Sequence, residues 1–245
     1  MFPSVSSRSV LAWTFLVWVT GTTAATTSLS RLRRISLAFE QVWGGSELHA
    51  DQTLHACHVF ARVLENSGPR AVYLDFCANL KKAEDLVTRA NESGHKANTL
   101  KQVLKYERDI LQLHDGNKLK DPSGAVGFLW MRRSLQFQAS LYHGLSRGMT
   151  PRDAALSSYK TQLRPYHGPI LRRFYTSFLR YKMPSRESIF RILGEFERNQ
   201  PDSAPPNGEK IVMSEMIRVV ETWGPVIRKW KRDFEDLDIE DNRQV

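Results

Sequence analysis

Residues 72–87, VYLDFCANLKKAEDLV, read as one helix with two unlike faces. Asp75, Asn79 and Lys82 are spaced four and then three apart, so at 3.6 residues per turn they fall within about 60° of one another. Val72, Phe76, Leu80, Ala83 and Val87 form an apolar stripe beside them. A carboxylate, an amide and an ammonium next to an apolar wall suit a ligand with a polar head and a hydrocarbon tail. The same spacing also occurs on ordinary solvated helix faces, so the triad needs support from elsewhere in the chain.

Helical periodicity continues on both sides. Ser28 to about Trp43 reads as a first helix stopped by Gly44-Gly45, and His49 to Asn66 as a second, turned by Ser67-Gly68-Pro69. Pro69 suits the first turn of the triad helix, which runs to about Asn91. Asn98 to His114 is a shorter helix, followed by a loop of turn formers, DGNKLKDPSG. A long helix from Gly124 to Gly148 places Trp130, Phe137, Leu141 and Leu145 on one side. Pro151 opens the next helix, and Pro165 opens another with Ile170, Phe174, Phe178 and Tyr181 as its expected buried stripe. Pro184-Ser185 precedes SRESIFRILGEF, and a proline-rich loop, 198–209, precedes the last helix. That helix carries Met213, Met216, Val220, Trp223, Ile227, Trp230 and Phe234 at alternating three and four spacing, with a kink expected at Gly224-Pro225. No stretch sustains period-two alternation, so the fold class is all-α. The acidic end, EDLDIEDNRQV, reads as a frayed tail.

The 245 residues suffice for one domain with a sizeable core. Net charge is +9, and of the first 25 residues only Arg8 contributes to it. Such an excess favours anionic partners, membrane surfaces in particular. No nucleic-acid-binding motif or compact basic run occurs, so no nucleic-acid partner is expected. Arg8, the apolar run LAWTFLVWV and the small polar GTTAATTS form the three-part pattern of a secretory signal peptide ending near Ala24 or Ala25. The expected organisation is therefore a leader over 1–25, a domain over 26–237 and the acidic tail over 238–245. Cleavage would place the protein in the secretory pathway or outside the cell. An uncleaved leader would leave it cytoplasmic, organellar or membrane-anchored. Cys57 and Cys77 flank the Gly68-Pro69 turn at similar heights, which leaves open a disulfide or two free thiols. Asn91-Glu92-Ser93 is a glycosylation sequon.

Enzyme signatures are missing. There is no nucleophile elbow, phosphate-binding loop, dinucleotide fingerprint or zinc-finger spacing. His49, Asp51, His55 and His58 lack a metalloprotease pattern and read as a solvent-facing helix. Asp75 with His167 has no nucleophile or second carboxylate to serve. No catalytic residue, metal or cofactor is expected.

Four strings, in order, resemble the glycolipid transfer protein family. The triad segment is similar to its head-group helix, and ANTLKQVLKYERDI (97–110) to the helix after it. FLWMRRSLQF (128–137) resembles the tryptophan helix. SYKTQLRPYHGPILRRFY (158–175), with SFLRYKMPSRESIF behind it, resembles the histidine helix. The resemblance spans roughly residues 30–237 and implies a two-layer helical sandwich of about eight helices that binds and transfers sphingolipids without chemistry. It implies that Asp75 accepts from the lipid amide and a sugar hydroxyl, and that Asn79 and Lys82 bond sugar hydroxyls. It also implies that Trp130 stacks on the first sugar and His167 donates to the acyl carbonyl. The related ceramide-1-phosphate carriers place arginines at Trp130 and Val126 and tend to carry lysine at Asn79, so this chain resembles the neutral glycolipid branch. Lys81, Arg132 and Arg133 keep a phosphate head group open, and a lipid-sensing or interaction module without transfer is the third reading. Pro169 stands where the sugar-binding members commonly carry a tryptophan used in membrane contact. Arg172, Arg173, Arg180 and Lys182 are the expected substitutes on anionic lipid.

Overall fold

A computed structural model describes residues 30–67, 69–95, 97–194 and 207–244. The leader expected over 1–25 and most of the proline-rich loop lie outside the described residues. The all-α reading stands, with nine α-helices among the described residues in place of about eight. They are α1 (Arg31–Glu40), α2 (Ala50–Ser67), α3 (Arg70–Glu92), α4 (Leu100–Tyr106), α5 (Gly124–Ser146), α6 (Pro151–Gln162), α7 (Pro169–Tyr181), α8 (Arg186–Gly194) and α9 (Gly208–Asp236). A two-residue hairpin, β1 (Trp43–Gly44) and β2 (Glu47–Leu48), fills the α1–α2 connection. None of the described helices is long and apolar enough to cross a membrane.

Local chemistry sets the boundaries. Ser30 caps α1 by accepting from the Arg33 N–H at 3.0 Å. Thr99 and Gln102 form a capping box on α4, Ser123 caps α5 and Thr150 caps α6, with Pro151 in its first turn. The expected helix from Pro165 begins instead at Pro169. A 3₁₀ turn over Arg164–Tyr166 intervenes, and His167 follows it in extended backbone. The last helix continues through Pro225 unbroken.

The elements close a circuit in which α1 packs on α2, α2 on α3, α3 on α5, α5 on α9, and α9 back on α1. Trp223 and Trp230 of α9 lie in the middle, fully buried, against Phe39, Phe60 and Phe128 at ring-centroid distances of 5.0–5.7 Å. Their aromatic area is a large part of the core's apolar gain. Outside this circuit, α6 packs on α5 and α7 on α6.

Two joints fix where α5 lies. At the first, α5 meets α3 through glycines: a Cβ on Gly127 would lie 2.3 Å from the Asn79 carbonyl oxygen, and one on Gly124 2.3 Å from the Leu86 Cβ. At the second, α4 runs into a π-helical turn over Glu107–Leu111. There the buried Glu107 carboxylate accepts from the N–H groups of Gly124 at 2.7 Å and Ala125 at 2.9 Å. It also meets His114 Nε2 at 2.8 Å. An acid at a helix N-terminus satisfies orphan donors and the helix dipole together.

Two expectations change here, and an open one closes. Ile170, Phe174 and Tyr181 do not form a buried stripe; they are 84%, 56% and 72% exposed. The helix is apolar on two sides, and the side turned inward is that of Leu171, Tyr175 and Leu179. The acidic segment is not frayed: Leu237, Ile239 and Asp241 are buried, so the folded body extends past Leu237. Cys57 and Cys77 are both free, and burial pushes the Cys57 thiol upward so that it stays protonated.

Gly127→Ala tests the first joint. Overpacking costs roughly 1–3 kcal/mol, against roughly 1 kcal/mol that alanine gains over glycine in a helix. A methyl group that must push backbone from backbone lies at the costly end. Thermal unfolding followed by far-UV circular dichroism is expected to show a midpoint a few degrees lower, and lower still for Gly127→Val. An unchanged or raised midpoint would mean that α3 and α5 do not approach this closely.

Candidate functional site

The glycine joint lays the polar face of α3 along the outer flank of α5, and a cavity of about 460 Å³ opens beside it. Asp75, Asn79, Lys82, Trp130 and His167 all line this cavity, although 92 residues of sequence separate the first from the last. The loop before α5 adds Asp121, α7 adds Tyr175, and the segment after α9 adds Asp241 and Arg243. Phe60, Leu64, Phe137, Leu163 and Phe178 supply an apolar wall. The lining therefore offers both charged groups and hydrocarbon, as an amphiphile requires.

The triad is pre-set by its neighbours. Asn79 is buried, and its amide nitrogen donates to the Asp75 carbonyl at 3.0 Å and to the Asp75 carboxylate at 3.4 Å. That leaves the Asn79 side-chain oxygen as an acceptor. Asp75 is exposed at the rim, yet desolvation raises its pKa, with Lys82 acting in the other direction. Lys82 also pairs with Asp121 at 2.6 Å.

His167 sits in an aromatic cage. Trp130 stacks on it at 5.7 Å and 30°, and Tyr159 and Tyr175 approach at 5.6 and 4.8 Å. The Tyr159 hydroxyl shares a 3.2 Å hydrogen bond with Nδ1. Burial raises the Tyr159 pKa; where the phenol donates this bond, the ring's own proton sits on Nε2 and can be offered to a ligand. Burial first, then Arg133 and Arg172, push His167 down to about 4. Arg133, itself buried, lies 3.5 Å from the Tyr166 ring centroid and 5.2 Å from that of Trp130. Burial lowers its pKa to about 10, so it remains a cation at neutral pH.

The family model for glycolipid transfer protein matches residues 48–195. The chain belongs to the glycolipid transfer protein family. Solved structures show the same fold at low identity. The structure described as how FAPP2 selects simple glycosphingolipids using this fold is 18% identical, with a TM-score of 0.72 over 89% of this chain and 100% of that one. Mouse ceramide-1-phosphate transfer protein in its apo form is 19% identical, with a TM-score of 0.71 over 87% and 100%. A mutant of Arabidopsis accelerated-cell-death 11, complexed with ceramide-1-phosphate, is 20% identical, with a TM-score of 0.68 over 86% and 98%. No curated protein matches the chain in sequence.

Within this member of the glycolipid transfer protein family, several residues in or behind the lining give no sign of their role in the sequence. Tyr159 and Tyr175 lie eight residues either side of His167, and only the fold of the 3₁₀ turn brings both rings to it. Asp121 and Asp241 come from segments that read as solvated. Of the cations that kept a phosphate open, Lys81 pairs with Asp85 at 2.7 Å on the exposed face. Arg132 pairs with Glu240 behind the cavity, and Arg133 alone of the three lines it. The histidines of α2 form no metal cluster among the described residues, and His58 instead pairs with Glu84 at 2.5 Å.

The caged histidine carries a pH signature. An unfolded His167 takes up its proton near 6.5, whereas the folded one does not until about 4. The stability it contributes is complete above the unfolded value and is lost as pH falls toward the folded one. Asp75, with its raised pKa, works in the opposite direction over part of this window, so the quantity to read is a difference. Denaturant midpoints of wild type and His167→Gln are expected to converge as pH falls from about 7 to about 4. Parallel curves would mean that His167 titrates as a solvated imidazole.

Proposed function

We propose that the protein binds a sphingolipid at this cavity and carries it between membranes without chemistry. The favoured cargo is a neutral glycosphingolipid. A sphingolipid joins an amide and hydroxyls to two hydrocarbon chains. Burying the chains is favourable by about 0.8 kcal/mol per CH₂, but burying the amide unpaired would cost roughly 2–7 kcal/mol. Asp75 accepts from the amide N–H, and the Nε2–H of His167 donates to the amide carbonyl. Asn79 and Lys82 meet hydroxyls of the head.

The observation that carries the choice of head group is Trp130, half-buried with one face supported by His167. A flat apolar face suits the C–H face of a sugar ring, whereas phosphate asks for cations and fork-shaped donors. The proteins crystallised with ceramide-1-phosphate make that lipid the proper competitor.

Delivery requires contact with a bilayer, and α7 supports a peripheral one. Its inner side lines the cavity through Leu171, Tyr175 and Leu179. Its outer side exposes Ile170, Phe174 and Tyr181 among Arg172, Arg173, Arg180 and Lys182, with no acid on the helix. Apolar residues enter the interface, and each cation near an anionic surface contributes about 1 kcal/mol. This face takes the place of the missing tryptophan at Pro169.

The test is a competition between a hexosylceramide and ceramide-1-phosphate in the same donor vesicles at fixed salt. Wild type is expected to move the sugar lipid preferentially, faster into anionic acceptors, and Phe174→Ala to weaken that acceleration. Asp75→Val removes a charge-assisted hydrogen bond, so its transfer rate should fall on the order of tenfold or more with helicity intact. Trp130→Arg should weaken the sugar lipid. Preferential movement of ceramide-1-phosphate by wild type would overturn the head-group assignment, and full activity of Asp75→Val would remove it from the site.

A further inference from the structure

The segment after α9 is held against the cavity by a network of polar contacts. Asp238 adopts a left-handed φ of 53° and turns the chain back. Leu237 and Ile239 then anchor it in the core. Glu240 accepts from Arg132 Nη2 at 2.6 and 2.7 Å through its two carboxylate oxygens. Arg133 Nη2 donates to the Asp241 carbonyl. The Asp241 carboxylate accepts from the Leu119 N–H at 2.9 Å and from Arg243 Nε at 3.0 Å. Arg243 in turn donates to the Leu119 carbonyl at 2.7 Å. The segment is thereby joined to both the loop before α5 and α5 itself.

Arg132 and Arg133 are adjacent cations, each 1% exposed with the segment in place. Buried cations need counter-charge. Even with the segment in place, Arg132 Nε and Nη1 and Arg133 Nε have no hydrogen-bond partner among the described residues. Arg133, Asp241 and Arg243 all line the cavity that holds Trp130. The Asp241 carbonyl occupies a donor of the cavity-lining Arg133 that would otherwise receive a phosphate oxygen, and Glu240 neutralises the adjacent Arg132 behind the cavity, since guanidinium forks fit phosphate well.

We propose that the segment Leu237–Gln244 is a selectivity element: it supplies an internal anion to Arg132 and Arg133 and so closes the cavity to phosphate head groups. Selection for a neutral head then rests on Glu240 and Asp241 as much as on Trp130. The choice between lipids rests on the reading that the cavity takes sphingolipids. The anion-excluding role itself does not, and the test separates the two.

Glu240→Gln/Asp241→Asn in the full chain keeps the shape of the segment and removes its charge. Replacing residues 240–244 by a Gly-Ser linker removes its contacts while keeping Leu237 and Ile239. Two probes are used, inorganic pyrophosphate followed by thermal shift and short-chain ceramide-1-phosphate followed by calorimetric titration, with short-chain glucosylceramide as the neutral control. Both variants are expected to bind the two phosphate probes on the order of tenfold more tightly than wild type. Binding of the neutral lipid should change by less than about twofold, since no charge is asked of it. Arg133→Gln added to the charge variant should abolish the gain. If both variants bind pyrophosphate no better than wild type, the proposal is overturned. If they gain pyrophosphate binding while wild type and variants bind neither lipid, the selectivity element stands and the sphingolipid reading falls.

Discussion

The close approach of α3 and α5 at Gly127 is the constraint on which the site depends. It lets the backbone of Asn79 lie where any side chain on α5 would stand. With the two helices at this distance, the polar face of one and Trp130 of the other line a single cavity. The N-terminus of α5 is fixed independently by the buried Glu107, which holds the N–H groups of Gly124 and Ala125. One joint sets the spacing of the helices and the other the place where α5 starts. Neither Gly127 nor Glu107 lines the cavity, yet both determine where its polar groups stand.

Charge around the cavity is balanced in pairs before any ligand arrives. Lys82 has Asp121, Arg132 has Glu240, and Arg243 has Asp241. Pairing keeps these groups in place at modest net energy, because desolvation offsets much of the attraction. Beside these pairs the lining holds the oxygen of Asn79, the His167 ring, the face of Trp130 and the Arg133 cation. Asp75 stands at the rim as a carboxylate whose pKa desolvation raises, with Lys82 acting in the other direction. An amide N–H from a ligand would relieve it.

How much of the molecule is legible in its sequence depends on how local each signal is. The triad can be read because four-and-three spacing fixes a helix face without any tertiary knowledge. The helix class and the α9 stripe can be read for the same reason. The face of α7 cannot, because apolar residues at 170 and 174 and at 171 and 175 offer two registers, and only packing chooses between them. The acidic segment reads as solvated by composition. Its partner Arg132 lies 108 residues away, and its turn depends on an aspartate in a left-handed conformation. Glu107 is equally hidden: a glutamate in a charged stretch gives no sign that it caps a helix 17 residues further on. Cys57 and Cys77 read as level from their spacing but form no bond, since helix periodicity says nothing about facing geometry.

A cavity that holds one sphingolipid by its head and amide, as proposed, should yield a complex that survives isolation. Native mass spectrometry of the purified chain, after incubation with vesicles containing hexosylceramide, ceramide-1-phosphate and glycerophospholipids, addresses it most directly. The expected result is a one-to-one complex with the mass of the hexosylceramide. A chain that emerges free of lipid, or carrying only glycerophospholipid, would contradict it.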